Sequence, residues 1–257
     1  MVGRTGRERG KHVGTLLGHT GRIFQLAVQI LRTMVLAYKN PELTVKQMFV
    51  LGVETFPLVL AVSAFVGAEV VLQAVYQFAG IIPLRYLGFA VRATTLSEFA
   101  PVITSVVFSG RIATSIAAEI ANMNATDQLD AMGCLRLDPV RYLLVPRVAA
   151  CMLMLPALVV FSELCALLIS VATVLLYVDM SLFEYLESLK RYFELKELFV
   201  GIIKTVPFGF CIGLVGSYFG LHAQRSVDGV GESTSRAVMA SCALILIIDF
   251  IIALIMM

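Results

Sequence analysis

Five stretches of about 20 or more predominantly apolar residues, separated by short charged segments, run through the 257-residue sequence. A helix needs about that many residues to cross a hydrocarbon core. Inside such a core each backbone N–H and C=O must be satisfied within the protein, so each run reads as a helix. Apolar residues make up 59% of the chain and charged residues 15%, against roughly 25% charged in a soluble domain. Those proportions exclude a water-soluble fold. The expected fold class is an all-α integral membrane protein with five transmembrane helices, over residues 55–79, 99–120, 148–177, 200–221 and 237–257.

The segments between the runs set the orientation. Lys and Arg residues cluster in residues 1–50, 121–147 and 221–236, whereas the opposite side carries only Arg85, Arg92, Lys190, Arg191 and Lys196. The positive-inside rule then leaves the amino terminus in the cytoplasm and, after five crossings, the carboxyl terminus outside. From Gly14 to Tyr38 apolar Ile23, Phe24, Ala27, Ile30, Leu31 and Met34 alternate with Arg22, Gln25, Gln29 and Arg32, the pattern of an amphipathic helix in the interface. Residues 179–198 read as a second short amphipathic helix, on the outer face. The net charge of +2 gives no reason to expect a nucleic-acid partner. The whole chain, 1–257, reads as a single membrane domain.

Ionisable groups inside a crossing are costly and must face protein or water. Glu69, Gln73 and Gln77 recur at intervals of four, which puts them on one face of the first crossing, against a cavity or a neighbouring helix. Asp249 lies within the last crossing, and Lys204 lies near the outer end of the fourth, where snorkelling to the interface is the expectation. Gly209, Gly213, Gly216 and Gly220 form a small-residue stripe for close helix packing, within the chain or between two copies. No catalytic or metal constellation assembles. Gly6-Arg7-Glu8-Arg9-Gly10-Lys11-His12 falls short of a phosphate loop, three scattered histidines have no ligand spacing, and four of the five cysteines lie inside apolar runs.

The densest information lies between Glu98 and Pro139. Glu98-Phe99-Ala100-Pro101-Val102 marks the outer entrance of the second crossing, and Arg111 follows too deep for easy snorkelling. Glu119 is two turns further along nearly the same face, a spacing that suits a relay through neighbouring helices. Then come Met123, Thr126, Asp127, Gln128, Asp130 and Met132. Thr126 or Asn124 is positioned to cap a short cytoplasmic helix with acids in its first turn, which reads either as a solvated loop or as a docking element.

This ordered string resembles the signature of the MlaE/YrbE-type permease family, the membrane subunits of ABC transporters that work with MCE-domain proteins. The likeness extends to Ser109-Gly110-Arg111, Ala118-Glu119-Ile120, Asp138-Pro139, Pro146-Arg147 and Asp249-Phe250. Two features depart from the family pattern: Ser97 stands where an Arg often precedes the Glu, and Glu69 adds an unexpected charge to the first crossing.

The resemblance implies a homodimer in a bacterial inner membrane with a lipid-sized cavity lined by crossings one, two and five. Together with the spacing of the intramembrane polar groups, this places Glu69, Gln73, Gln77, Glu98, Arg111 and Asp249 in the expected cavity or polar interior. Glu119, Met123, Thr126, Asp127, Gln128, Asp130 and Met132 would dock a separate ATPase, which would bind the ATP and Mg; the chain itself would carry no cofactor and catalyse nothing. An MCE-domain protein on the outer face and a small cytoplasmic accessory subunit complete the expected partners, with phospholipids or related lipids as the substrate. The alternative is an ion-coupled secondary transporter or channel using Glu69, Glu98 and Asp249, for which an inverted repeat would be expected and none is evident.

Overall fold

The computed structural model describes residues 21–34, 41–78, 83–191, 193 and 195–256, and every regular element among them is helical. Residues 21–34 form α1, Pro41–Met48 form α2, and a π turn at Phe49–Val53 leads to α3, Phe56–Phe78. A 3-10 turn at Leu84–Tyr86 opens a continuous helical stretch: α4, Leu87–Thr94, a π turn at Thr95–Phe99, and α5, Ala100–Ala125. The short α6 is Gln128–Cys134, and a π turn at Val140–Leu144 runs into α7, Val145–Tyr177. Then follow α8, Leu182–Lys190, α9, Leu195–Leu221, and α10, Val227–Met256. Five of these stretches are long and apolar enough to cross a membrane.

All the crossings but the first are longer than their apolar runs. The second helical stretch begins at Leu84 instead of residue 99, the third at Val140 instead of 148, and the fifth at Val227 instead of 237. Polar residues dilute the hydropathy at these ends, yet they suit a helix that supplies them with partners. Arg92 of α4 is 2% exposed and donates to the Leu189 carbonyl at 2.5 Å and to the Glu197 carboxylate at 3.2 Å. The short helix expected over residues 179–198 is smaller than that range. Ser181 starts α8 with a reciprocal capping box to Glu184, α8 stops at Lys190, and Leu195 onward belongs to α9. Residues 1–20, 35–40, 79, 192, 194 and 257, on which parts of the sequence reading fall, lie outside the described residues. Within α1, Ile23, Leu26, Ala27, Ile30 and Met34 pack on the main core while Arg22, Gln25, Gln29 and Arg32 stay exposed.

Helices α5 and α9 lie side by side at the centre, flanked by α7 and α10, with α3 held on α7 and α4 on α8. Phe108, Ile112, Ile116 and Ile120 recur every four residues on the buried face of α5 and meet Phe208 and Ile212 of α9 within one core. Between membrane helices the hydrophobic effect gives little net drive, so close packing and interhelical hydrogen bonds do the holding. The glycine stripe of α9 serves two neighbours in the same chain. A Cβ at Gly209 or Gly213 would stand 2.6 Å from the Cys151 carbonyl oxygen or 2.9 Å from Val148 Cα, both on α7; at Gly220 it would stand 2.8 Å from Ile120 Cβ of α5. Gly216 faces Ala113 and Ile116 of α5. One hydroxyl, Ser162 of α7, lies 2.7 Å from both Ser63 of α3 and Thr104 of α5 and so ties three helices together.

Close backbone approach makes these glycines intolerant of bulk. Gly209→Leu should destabilise the purified protein by about 1–3 kcal/mol or more, read as a lower melting temperature in detergent. Gly110→Ala, where a Cβ meets nothing within 4 Å, should leave that temperature unchanged or slightly raised.

Candidate functional site

The four-residue spacing of Glu69, Gln73 and Gln77 on α3 sets their side chains along one wall of an open groove of about 710 Å³. Phe65, Val66, Val70, Ala74 and Phe78 of α3 extend that wall, and Ala90, Thr94, Phe99 and Ile103 from α4, the π turn and α5 face it. The lining is apolar apart from a polar stripe of one carboxylate, two amides and the Thr94 hydroxyl. That combination accommodates an amphiphile.

Three other residues expected in the polar interior are bound elsewhere. Arg111 of α5 pairs with the Glu54 carboxylate at 2.9 Å and also donates to the Glu54 backbone carbonyl, which fixes the start of α3. Glu119 pairs with Arg147 of α7 at 2.5 Å. Arg111 and Glu119, on one helix, therefore answer to different partners and form no relay with each other. Glu98 and Asp249 converge on Lys204 of α9, at 3.1 and 2.8 Å.

Lys204 is the principal correction to the sequence reading. Its side chain is 3% exposed, so it does not snorkel to the interface, and it joins the π turn before α5 to α10. A snorkelling reading treats a lysine alone. The signal in the sequence was the presence of one cation and two carboxylates near three separate apolar runs, where the cation finds its counter-charge only if the helices that carry them meet. Glu98 remains 49% exposed and Asp249 17%. Glu98 also adjoins Phe99, so the triad stands next to the groove.

At the other end of α5 the chain builds a second polar assembly. The expected cap does not form: Thr126 turns its hydroxyl back to the Asn122 carbonyl at 2.9 Å, and the Asn124 amide donates to the carbonyls of Leu221 and Ala223 at 3.4 and 3.2 Å. Asp127 takes the N-cap position of α6 in the left-handed region, φ 57°, without a side-chain cap. Arg225, from the connection between α9 and α10, spans both acids, at 2.6 Å to Asp127 and 2.7 Å to Asp130. The Asp130 hydrogen bond and the two negative charges hold the Arg225 guanidinium above its ordinary pKa. Gln128 stays exposed and Met123 and Met132 half-buried, while Leu135, just past α6, is 71% exposed.

Residues 44–255 match the family described as Permease MlaE. The chain belongs to the MlaE permease family. Among its relatives, a probable ABC transporter permease protein of Synechocystis sp. is 35% identical over 219 residues, 84% of this chain and 82% of the relative. Another of that description, from Rickettsia prowazekii, is 32% identical over 210 residues, 82% of this chain and 81% of the relative. A third, from Pyropia yezoensis, is 28% identical and covers 83% and 81%. This MlaE-family permease is a multi-pass ABC transporter subunit, and an ATPase partner follows from that.

The permease also holds a residue that the sequence reading passed over. Glu163 of α7 is 2% exposed, and neither carboxylate oxygen has a hydrogen-bond partner among the described residues. It lies 3.2 Å from where a Cβ on Gly201 would stand, close to Leu96 and Pro101. Thr95, at the start of the adjoining π turn, also has a buried hydroxyl without a partner. A carboxylate inside the run Phe161-Ser162-Glu163-Leu164 was as visible in the sequence as Asp249.

Removing one member of a buried ion pair strands the other. Lys204→Met should cost about 3 kcal/mol, seen as a lower melting temperature in detergent. Combining it with Glu98→Gln and Asp249→Asn should restore most of the loss. An unchanged melting temperature for Lys204→Met alone would show that the triad does not hold the bundle.

Proposed function

We propose that this permease moves phospholipids or related lipids between a bacterial inner membrane and the cell envelope, driven by ATP hydrolysis on a separate subunit. The observation that carries this reading is the groove: apolar walls for acyl chains, a few polar side chains for a headgroup, and an open mouth. Such a site suits a molecule taken from the bilayer more than a hydrated solute.

The permease works as a homodimer in this reading. Leu246, Phe250, Ile251 and Leu254 of α10 are uncovered, which supports a second copy there, with the two grooves opening into a shared cavity. The basic amino-terminal region, α6 and the connection carrying Arg225 face the cytoplasm, following the positive-inside rule. The ATPase docks on α6 and binds ATP and Mg; the permease adds no catalytic group. An MCE-domain protein covers the outer face near α8, and a small accessory subunit joins the cytoplasmic side. The ion-coupled alternative loses support from Lys204, which already pairs with both Glu98 and Asp249, so that of the three carboxylates Glu69 alone has no partner among the described residues.

Asp127 and Asp130 are engaged by Arg225, so altering either would disturb the internal pairing as well as a partner. Leu135 offers a cleaner test because its side chain is largely exposed. Leu135→Asp should leave the melting temperature of the permease unchanged and abolish co-purification of the ATPase subunit. Retained co-purification would move the docking surface away from α6.

For the substrate, the complex extracted from its native membrane should carry bound lipid by native mass spectrometry, and reconstituted transport should require ATP. Proton-dependent solute uptake without ATP would overturn the lipid reading.

A further inference from the structure

The groove is electrically one-sided. Glu69 is the one ionisable residue among those lining it, near the middle of α3. Its side chain is exposed to the groove, and no ion pair or hydrogen bond engages its carboxylate among the described residues. The nearby cations are committed elsewhere: Lys204 to Glu98 and Asp249, Arg111 to Glu54, and Arg92 to Glu197 and the carbonyls of Leu189 and Arg191. An unpaired carboxylate at this depth of an apolar crossing is costly. A mobile cation in the groove would offset that cost, and a lipid could bring one with it.

We propose that Glu69 makes the groove selective for lipids whose headgroup carries an ammonium group, the zwitterionic aminoalcohol phospholipids, over lipids with a net anionic headgroup. This rests on the lipid-permease reading above. The surroundings match that chemistry in three respects. The carboxylate supplies the counter-charge. Phe65 and Phe99, 78% and 43% exposed, offer ring faces at which an ammonium is stabilised by the aromatic quadrupole. The amides of Gln73 and Gln77 offer carbonyl acceptors for the ammonium and N–H donors for the adjoining phosphate. An anionic headgroup without the ammonium would set its phosphate against Glu69 with no cation in the lining to compensate. The apolar remainder of the groove favours an ammonium attached to acyl chains over a free amine.

The test uses the full chain in its extracted complex, reconstituted into nanodiscs containing equal parts phosphatidylethanolamine and phosphatidylglycerol. Bound lipid is then counted by mass spectrometry after transfer to detergent. Wild type should be enriched in phosphatidylethanolamine on the order of tenfold. Glu69→Gln should bring the ratio close to that of the nanodisc, and Glu69→Lys should turn it toward phosphatidylglycerol. Equal melting temperatures across the three proteins would establish that the fold is intact, as expected for an exposed side chain.

If lipid is bound with one and the same headgroup ratio in all three proteins, the selectivity role of Glu69 is overturned while the lipid reading stands. If none of them binds lipid, the lipid reading fails and this inference with it. Loss of the enrichment on adding millimolar soluble ethanolamine would overturn the assignment to a lipid headgroup in favour of a free amine, whereas persistence supports the lipid.

Discussion

Lys204 has to be neutralised inside the bundle, and much of the arrangement around it follows from that requirement. An ammonium buried among apolar helices is tolerated only with opposite charge in contact. Its two carboxylates come from the π turn ahead of α5 and from α10, so one amine brings three crossings into register. Packing alone would specify this weakly, because aliphatic surfaces in a membrane can slide against lipid or against each other at similar cost. The glycines of α9 then let α5 and α7 close on the same helix that carries the lysine. Charge sets the register and small residues set the distance.

The same logic explains why the helices outrun their hydropathy. Arg92 and Arg147 would each end an apolar run, yet both are buried with partners. Their carboxylates come from α9 and α5, far away in sequence. Such residues are polar by composition and interior by structure. The collar of α4, α8 and the start of α9 is held in this way around Arg92, with Ser188 donating to the Arg85 carbonyl at 2.8 Å and Tyr185 to Ser170 at 3.0 Å. Burial pushes the Tyr185 phenol up to about 12, and its hydrogen bond with Ser170 draws it back only in part.

What the sequence made legible was periodic or local. The five crossings followed from the length of apolar runs, and the shared face of Glu69, Gln73 and Gln77 from a four-residue interval that any helix would honour. The partners of the charges were not legible. Arg111 and Glu119 look related because they are close in sequence, but the structure gives one to Glu54 and the other to Arg147. Arg225 is an isolated cation in a short connection until α6 folds against it. Thr126 looked like a helix cap because its residue type is a good one; its hydroxyl instead closes the end of α5, leaving Asp127 to make the turn. Pairing across the bundle depends on which helices are neighbours, and neighbourhood is not written in the spacing within any one of them.

The groove and the α6 end of the bundle are joined by the two central helices. The α5 stretch carries Ile103 in the groove at one end and Asn124 against the α9–α10 connection at the other. Helix α9 carries Lys204 beside Glu98 and ends at that same connection. At 1.5 Å per residue, α5 alone spans about 39 Å, and an uninterrupted helix transmits displacement along its axis more readily than it bends. The regular ladder is interrupted twice near the groove end of this path, at Pro207 inside α9 and at the π turn of Thr95–Phe99, where it changes from i→i−4 to i→i−5. The turn contains Glu98, contributes Phe99 to the groove and begins at Thr95, whose buried hydroxyl has no partner among the described residues. The π turn adjoins the groove at the head of α5, and the bond from Glu98 to Lys204 ties it to α9.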